Sequence, residues 1–491
     1  MLTASEKTAS GAGRRIGAMP IARAWILCLL TAALAACARF EPRPLSPQAS
    51  AARFEARSLA DPGLENYLAH RQRRSPAWPP RTWDVDLLTL AALYYHPELE
   101  VARAQQQVAE AAVGVARHGP SPSLNFTPGY NADALAGMSP WILGWAADFP
   151  IETAGRRGDR ERQAAYRRDA ARFDLAGAAW RVRSRVRRRM LAYDGALREA
   201  ALLKQTLKLR EDLAAAMQRR LAAGEAARPA ADSARAAQAE TRLQLNSALG
   251  RAATARAALA AAVGVPVADL DTVKLSFAAL ERPPAAAQIP ARSVRRAALA
   301  NRADLLAALA RYEASQSALR LEIARQYPDL RIGPGYQWDQ GADKWSLGIG
   351  LTLPLFARGR IAQAKAKRKL AAARFTALQA RDIARTERAL AGYRAALAAR
   401  EAARSLAATQ QSRAQAAQRR FAAGDSDRGA LDQAQLRALA AQAIRLNASL
   451  RAQRALGALE DAIERPLEGA IAVSTLPAPR RDAPDSQGSR P

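Results

Sequence analysis

The side chains that most often carry covalent or metal chemistry are scarce in this chain of 491 residues. It has two cysteines, Cys28 and Cys37, and three histidines, His70, His96 and His118. This set excludes a disulfide framework, a CxxC redox pair and a cysteine zinc site, and the chain has no HExxH motif, Walker loop or GxSxG elbow. We therefore expect no enzymatic activity, no cofactor and no bound metal. The cysteine whose surroundings indicate chemistry is Cys37.

Cys37 follows a segment with the layout of a bacterial export signal. Basic residues up to Arg23 precede an apolar run over 24–36 that ends in Leu-Ala-Ala-Cys, and the run is too short to span a bilayer as a permanent helix. The sequence predicts a lipoprotein signal peptide over 1–36, lipidation at Cys37 and a lipidated linker over 37–84. A chance apolar stretch beside a cysteine is the alternative.

The chain is strongly basic, with 74 Lys plus Arg against 45 Asp plus Glu, a formal charge of +29. Basic proteins often bind nucleic acid, but an exported lipoprotein meets none, and the chain lacks the aromatic residues interleaved with lysines of a nucleic-acid groove. We therefore expect no nucleic-acid partner. The densest basic stretch, Arg181 to Arg189, spreads around a helix, so we interpret it as a solvated face.

The mature chain contains an internal duplication with an offset of about 200 residues. It predicts two equivalent units over 85–280 and 291–477, a Pro-rich connector over 281–290 and a disordered tail over 478–491. The repeated residues are Pro122, Gly129 and Tyr130 with Pro328, Gly335 and Tyr336, Trp141 and Gly155 with Trp345 and Gly359, and Gln218–Gly224 with Gln418–Gly424.

Each unit begins with a helical pattern, Leu87 to Val115 and Val294 to Ile323, and then changes to a period of two. Two such runs joined by a Gly/Asp loop predict one β-hairpin per unit. Their strands have about the 9 to 11 residues of a tilted transmembrane strand, so we expect them to face lipid, although a soluble half-buried hairpin is the alternative. The residues predicted to face lipid are Trp345, Leu347, Ile349 and Leu351.

After each hairpin the chain runs for some 65 residues without proline, to Leu221 and Phe421. A helix of that length extends about 100 Å, far beyond a membrane, so it must project into the periplasm. Each stretch reaches Ala-Ala-Gly, a helix stop, and a second helix is predicted to return over about 230–262 and 430–464. The fold class is therefore mainly α with a membrane β-barrel portion, in duplicated units of a coiled-coil helical hairpin plus a β-hairpin.

In their order and spacing, these motifs resemble the TolC-like outer-membrane efflux factors, of the lipoprotein branch that serves tripartite resistance-nodulation-division pumps. The resemblance covers about 85–470. It implies a homotrimer in the outer membrane, with a 12-stranded barrel and an α-helical periplasmic tunnel, and two partners, a periplasmic membrane-fusion adaptor and an inner-membrane pump. The residues that it implies at the adaptor-contacting tips are Arg220, Leu221, Gly224, Arg420, Phe421 and Gly424.

Two other functions stay open on the sequence alone. One is a structural coiled-coil envelope lipoprotein without a pore, which has no use for the period-two strand beside Trp345. The other is a type I secretion exit duct, a branch whose members are generally not lipidated. The cargo also stays open, since the resemblance extends to exporters of drugs, solvents and metal ions. No gate residue is assigned, because the chain departs from its relatives at Arg428 to Gln433, with Asp425 and Asp427 close by.

Overall fold

The computed structural model describes residues 40–70, 78–135, 137–355 and 357–467. The chain divides into two compact units, Met1–Ala56 and Arg57–Pro491. The described part of the first contains the helix α1 (Pro47–Glu55), which begins at the N-cap residue Ser46. The predicted signal peptide, Cys37 and the predicted C-terminal tail lie outside the described residues.

After the short helix α2 (Pro62–Ala69), the second unit contains the same order of elements twice: two helices, a β-hairpin, a long helix and a returning helix. The duplication predicted from the sequence is thus present in the fold. The first copy consists of α3 (Val85–Tyr95), α4 (Pro97–Arg117), β1 (Ser123–Tyr130), β2 (Trp141–Ile151), α5 (Arg156–Ala222) and α6 (Arg228–Val263). The second consists of α7 (Ala291–Asn301), α8 (Ala303–Ala324), β3 (Asp329–Asp339), β4 (Ala342–Thr352), α9 (Ala357–Ala422) and α10 (Arg428–Ile463).

The helical patterns predicted over Leu87–Val115 and Val294–Ile323 are helical in the structure, but each is interrupted once, so each copy opens with two helices. His96 breaks the first helix with a ψ of 125°, because Pro97 disfavours the helical conformation in the residue before it. Arg302 breaks the second with a ψ of 119° and without a proline. Its side chain is buried, and hydrogen bonds from its guanidinium to Ala462 and Asp304 stabilise the break.

The four strands form one antiparallel sheet in the order β1-β2-β3-β4. The two predicted hairpins are therefore joined through β2 and β3, where Trp145 lies opposite Tyr336 and Phe149 opposite Ile332. β1 and β4 are the outer strands, and neither pairs with a further strand of the described chain. The strands have 8 to 11 residues, close to the length a tilted strand needs to cross a bilayer.

The long helices have the predicted length. α5 has 67 residues and α9 has 66, so each extends about 100 Å, and α6 and α10 return along about half of that length with 36 residues each. Both helical hairpins use the same cross-links: Arg235 donates to Gln218 (2.8 Å) in the first, and Gln435 donates to Gln418 (3.4 Å) at the equivalent positions of the second.

The main apolar core lies where α3 packs on the middle of α5 and the end of α6. Leu88 and Leu93 of α3 are fully buried there together with Val186 and Met190, which begin the coiled-coil seam predicted for α5. A smaller cluster around Tyr393 joins α7, α9 and α10 in the second repeat. In the part of the chain that the structure describes, no helix combines the length and the apolar character that crossing a bilayer requires.

Candidate functional site

One face of the sheet is a continuous apolar surface. Two rows of directly opposed residues form it: Phe126, Trp145, Tyr336 and Trp345 across all four strands, and Phe149, Ile332 and Ile349 across three. The four residues predicted to face lipid lie on this face of β4 and are between 62 % and 76 % exposed. The opposite face of β4 carries Ser346, Gly348 and Gly350, and beside it Arg331 forms an ion pair with Asp148 (3.2 Å). The sheet is therefore apolar on one face and small or polar on the other, the pattern of a strand between lipid and water.

Aromatic pairs mark the same end of both hairpins. Tyr130 packs edge-on against Trp141, with ring centroids 5.2 Å apart, where β1 meets its loop. Tyr336 packs against Trp345 at 4.9 Å, three residues from the turn between β3 and β4. Aromatic rings with one polar edge concentrate at the interface between hydrocarbon and water, so these pairs are placed as an interfacial belt would be.

The two helical tips have the same geometry. The amides of Glu225 and Asp425 donate to the carbonyls of Arg220 and Arg420, both at 2.8 Å, and close the last turns of α5 and α9. The glycine before each, Gly224 and Gly424, has a positive φ of 76° and 80°. A Cβ at either glycine would meet no atom within 4 Å, so glycine is required by the backbone conformation and not by crowding.

The side chains at the two tips have matching exposure. Arg220 and Arg420 are exposed, and Leu221 and Phe421 are half-buried. The guanidinium of Arg428 lies 5.8 Å from the ring centre of Phe421.

The carboxylates near the second tip have local partners. Asp427 caps α10 by accepting from the amide of Ala430 at 2.6 Å, and buried Asp432 accepts from Arg428 at 3.0 Å. These two carboxylates therefore have structural roles in the single protomer.

Two residues of the basic stretch of α5, Arg183 and Arg187, are buried against α10, so the interpretation of Arg181–Arg189 as a solvated face is wrong for these two. Arg181, Arg188 and Arg189 are exposed, as predicted. Glu460 lies between the two buried guanidiniums, 3.3 Å from Nη1 of Arg183 and 3.5 Å from Nε of Arg187. Arg187 also donates to the backbone carbonyl of Gln453 (3.0 Å) and to its side-chain oxygen (2.8 Å). Arginines spread around a helix reach every face of it, including the face that packs on the other repeat. We call Arg183, Arg187, Gln453 and Glu460 the α5–α10 clamp.

Polar and aromatic contacts extend the clamp along both helices. Trp180 and Arg188 donate to Asp461, at 3.1 Å and 3.0 Å, and the guanidinium of Arg183 lies 4.8 Å from the ring centre of Trp180. On α10, a Cβ at Gly457 would lie 2.5 Å from Nη1 of Arg187. Glycine at 457 therefore provides the space that the guanidinium of Arg187 occupies.

Arg302 joins the end of α10 to the start of α8. Its Nη1 donates to the carbonyl of Ala462 (2.9 Å), and its Nε lies 2.9 Å from Asp304 and 3.0 Å from Asp382. Burial raises the pKa of Asp382 and of Glu464, although Arg302 acts against both shifts. The buried guanidinium of Arg302 thus connects the last carbonyls of α10 to the first turn of α8. These contacts explain why the helix breaks at Arg302 without a proline.

The equivalent junction in the first repeat uses a different arginine. Gly264, after α6, lies against the backbone of Tyr95 and His96, and Arg57 donates to the carbonyls of Tyr95 and Gly264, both at 3.0 Å. Nε2 of His96 lies 2.9 Å from Nη1 of Arg185, and because arginine only donates, this ring nitrogen accepts. Burial, and then the charge of Arg185, lowers the pKa of His96 and keeps the ring neutral.

Sequence reasoning missed the clamp and both junctions. The available signal was the spacing of Trp180, Arg183 and Arg187, which places an aromatic residue and two cations on one helical face. Their partner Glu460 lies 277 residues beyond Arg183, and no local pattern connects the two.

A duplicated unit of a β-hairpin and a helical hairpin about 100 Å long, with an amphipathic sheet, defines the TolC-like class of outer-membrane channel proteins. The chain belongs to the outer membrane efflux protein family, whose model matches residues 89–265 and 294–464. Membership places the protein in the outer membrane.

Three known proteins show how far the similarity extends. The cobalt-zinc-cadmium resistance protein CzcC of Cupriavidus metallidurans is 28 % identical over 215 residues, 43 % of this chain, and the match spans half of the length of CzcC. The CmeC outer membrane channel of Campylobacter jejuni has the same fold with a TM-score of 0.65 at 15 % identity, covering 89 % of this chain and 97 % of CmeC. A membrane protein of Pseudomonas aeruginosa gives 0.62 at 23 % identity, over 77 % of this chain and 93 % of its own.

Proposed function

We propose that this protein is the exit duct of a tripartite efflux pump, a trimer that passes small molecules or metal ions from the periplasm and an inner-membrane pump to the exterior. The observation that carries the proposal is the amphipathic four-stranded sheet, whose outer strands β1 and β4 pair with no further strand among the described residues. Four strands cannot enclose a lumen, and a free edge in lipid leaves backbone groups unsatisfied. Three copies would join β4 of each to β1 of the next and give the twelve strands that the resemblance to TolC-like factors implies.

The direct test is conductance. Purified full-length protein inserted into a planar bilayer should form trimers that conduct ions as discrete steps. Deletion of the gene should raise the cellular content of at least one substrate, and re-expression should restore it. Because CzcC is named a cobalt-zinc-cadmium resistance protein, those three ions belong in the substrate panel beside dyes and drugs. Trimers without conductance would refute the duct.

We further propose that the two tips contact a periplasmic adaptor, with Arg220 and Arg420 as polar anchors and Leu221 and Phe421 as apolar ones. Their shared geometry and the exposure of both arginines support this assignment. Arg420→Glu should leave trimer yield unchanged and abolish adaptor crosslinking and export, because the charge of one anchor is reversed. Gly424→Val should cost about 1 to 2 kcal/mol through its positive φ and also weaken crosslinking.

The matched control for the tips is Arg394→Glu, the same charge reversal at an exposed position on the same helix, 26 residues before Arg420. It should leave crosslinking and export at the level of the wild type. Unchanged crosslinking in both tip variants would refute the tip assignment.

Lipidation at Cys37 is a separate proposal, supported by the Leu-Ala-Ala-Cys sequence after an apolar run. The wild type should incorporate labelled palmitate and Cys37→Ser should not, while trimers still form. The measurement is label in the purified band after growth with labelled palmitate. Label that persists in Cys37→Ser would show that another residue is modified.

A further inference from the structure

Three basic residues near the start of α9 form a stripe without an ion-pair partner among the residues that the structure describes. Arg358, Lys365 and Lys369 are spaced by seven and four residues, so they lie on one face of the helix. All three are exposed, and across the described ranges none has a carboxylate within 4.0 Å. We call them the α9 basic stripe.

The charge at this position works against the helix itself. Residues 357–381 contain eight Lys or Arg and no Asp or Glu, and the first turn of α9 has no acidic residue. The N-terminus of a helix favours anions, so unpaired cations there lower its stability. The equivalent start of α5 carries Asp159 in its first turn, and its Arg160 is paired with Glu152. The two repeats therefore differ at the start of the long helix. The first turn of α5 has acidic partners for its cations, and the first turn of α9 does not.

The stripe lies next to the strands. α9 begins five residues after β4 ends at Thr352, and the stripe then extends about 16 Å along the axis. Cα–Cβ bonds of a helix tilt toward its N-terminus, so these long side chains lean back toward the sheet. With the sheet in the bilayer, their charged groups lie at the headgroups and within about one to two Debye lengths beyond, at ~8 Å per length.

The stripe is on the outer face of the tunnel, a step that rests on the proposed trimeric duct. Glu387 follows Lys369 by 18 residues, five helical turns, and therefore lies on the same face of α9. There it forms an ion pair with Arg295 of α7. If this face pointed inward, an α7 packed on it in each of three protomers would occupy the tunnel lumen, so this face of α9 is outside.

We propose that the α9 basic stripe binds the phosphate groups of anionic phospholipids in the periplasmic leaflet of the outer membrane. Juxtamembrane lysines and arginines are attracted to anionic lipid, and each contributes about fivefold to membrane affinity. An anionic surface relieves the mutual repulsion of the three cations, and no carboxylate of the described residues lies within 4.0 Å of them to do so.

The test counts retained lipid on full-length protein extracted from outer membranes in mild detergent. Phosphatidylglycerol and phosphatidylethanolamine per trimer are measured by mass spectrometry and compared with the bulk membrane ratio. The wild type should be enriched in phosphatidylglycerol, and the triple variant Arg358→Gln, Lys365→Gln, Lys369→Gln should lose that enrichment at least about fivefold. Lys365→Arg with Lys369→Arg should retain it, because the charge is kept.

The matched control is the triple variant Arg360→Gln, Lys367→Gln, Arg374→Gln, which removes equal charge from the same part of α9. These residues are spaced by seven and lie on the opposite side, where Arg360 and Lys367 line a cavity of 350 Å³ between α5, α8 and α9. The control should keep the enrichment of the wild type. Enrichment that survives in the stripe variant, or an equal loss in the control, overturns the proposal.

Conductance of the same preparations in zwitterionic bilayers separates this proposal from the duct itself. Wild-type trimers that conduct, with equal lipid ratios in the wild type and the stripe variant, would refute only the lipid contact. Wild-type trimers that fail to conduct would refute the duct, whatever lipid they retain.

Discussion

Replacing Ile349 with arginine should cost about 2 to 4 kcal/mol per protomer and prevent trimers from accumulating in the outer membrane. Ile349 lies in the middle of β4, is 70 % exposed and belongs to the apolar row with Ile332 and Phe149. If this face meets hydrocarbon, a charged side chain near the midplane must be desolvated in each of three protomers. The measurement is the yield of heat-resistant trimer from outer membranes.

Two variants of the same strand serve as controls for Ile349→Arg. Ile349→Leu keeps the apolar surface and should be silent, and Ser346→Arg places the same charge on the opposite, polar face and should cost far less. A normal trimer yield for Ile349→Arg would place β4 outside the membrane. A loss for Ser346→Arg as large as for Ile349→Arg would show that the two faces are not different environments.

Glu460→Ala should destabilise the folded protomer by about 3 to 5 kcal/mol, because it leaves two buried guanidiniums without a counter-charge. The side chains of Glu460, Arg183 and Arg187 are 3 %, 7 % and 7 % exposed, so water cannot replace the lost carboxylate. The second carboxylate oxygen also accepts from the amide of Leu467 at 3.0 Å, and that bond is lost too. The measurement is a urea titration of detergent-solubilised protein followed by far-ultraviolet circular dichroism.

The control for Glu460→Ala is Glu387→Ala, the same substitution in an ion pair whose two side chains are more than half exposed. It should cost less than about 1 kcal/mol. Replacing Arg183, Arg187 and Glu460 together with methionine should recover much of the lost stability, because no buried charge then remains in the clamp. If Glu460→Ala stayed within 1 kcal/mol of the wild type, the clamp would contribute little.

The sequence predicted those parts of the fold that local patterns and the duplication determine. Alternation around Trp345 predicted β4, the proline-free stretches predicted α5 and α9, and the recurring Ala-Ala-Gly predicted tips that the structure closes at Gly224 and Gly424. These features depend on neighbours in the chain, so a period or a stop signal is sufficient to find them. The pairing of β2 with β3, which joins the two hairpins, depends on segments about 190 residues apart. A local sequence period cannot predict it.

The errors came from residues whose partners are distant. Arg302 ends a helix because its guanidinium donates to the carbonyl of Ala462, 160 residues away. The residues around Arg302 have a helical pattern, which does not indicate this break. Arg183 and Arg187 have the composition of a solvated face and are buried because α10 returns along the same side of α5. Arginine is ambiguous in this way whenever an interface between repeats supplies a carboxylate. The residues predicted to face lipid, to contact the adaptor and to carry lipid stay predictions for the experiments above.

The packing of Arg187 on Gly457 limits how the two halves of the gene can diverge. A duplication normally frees each copy to accumulate changes, but a side chain at 457 would force the guanidinium at 187 away from its bonds to Gln453 and Glu460, and a shorter residue at 187 would leave Glu460 with one cation. Neither codon can therefore change alone without loss. We expect alignments of close homologues to show positions 187 and 457 varying together. The two halves of the gene would then be constrained to change jointly at these positions.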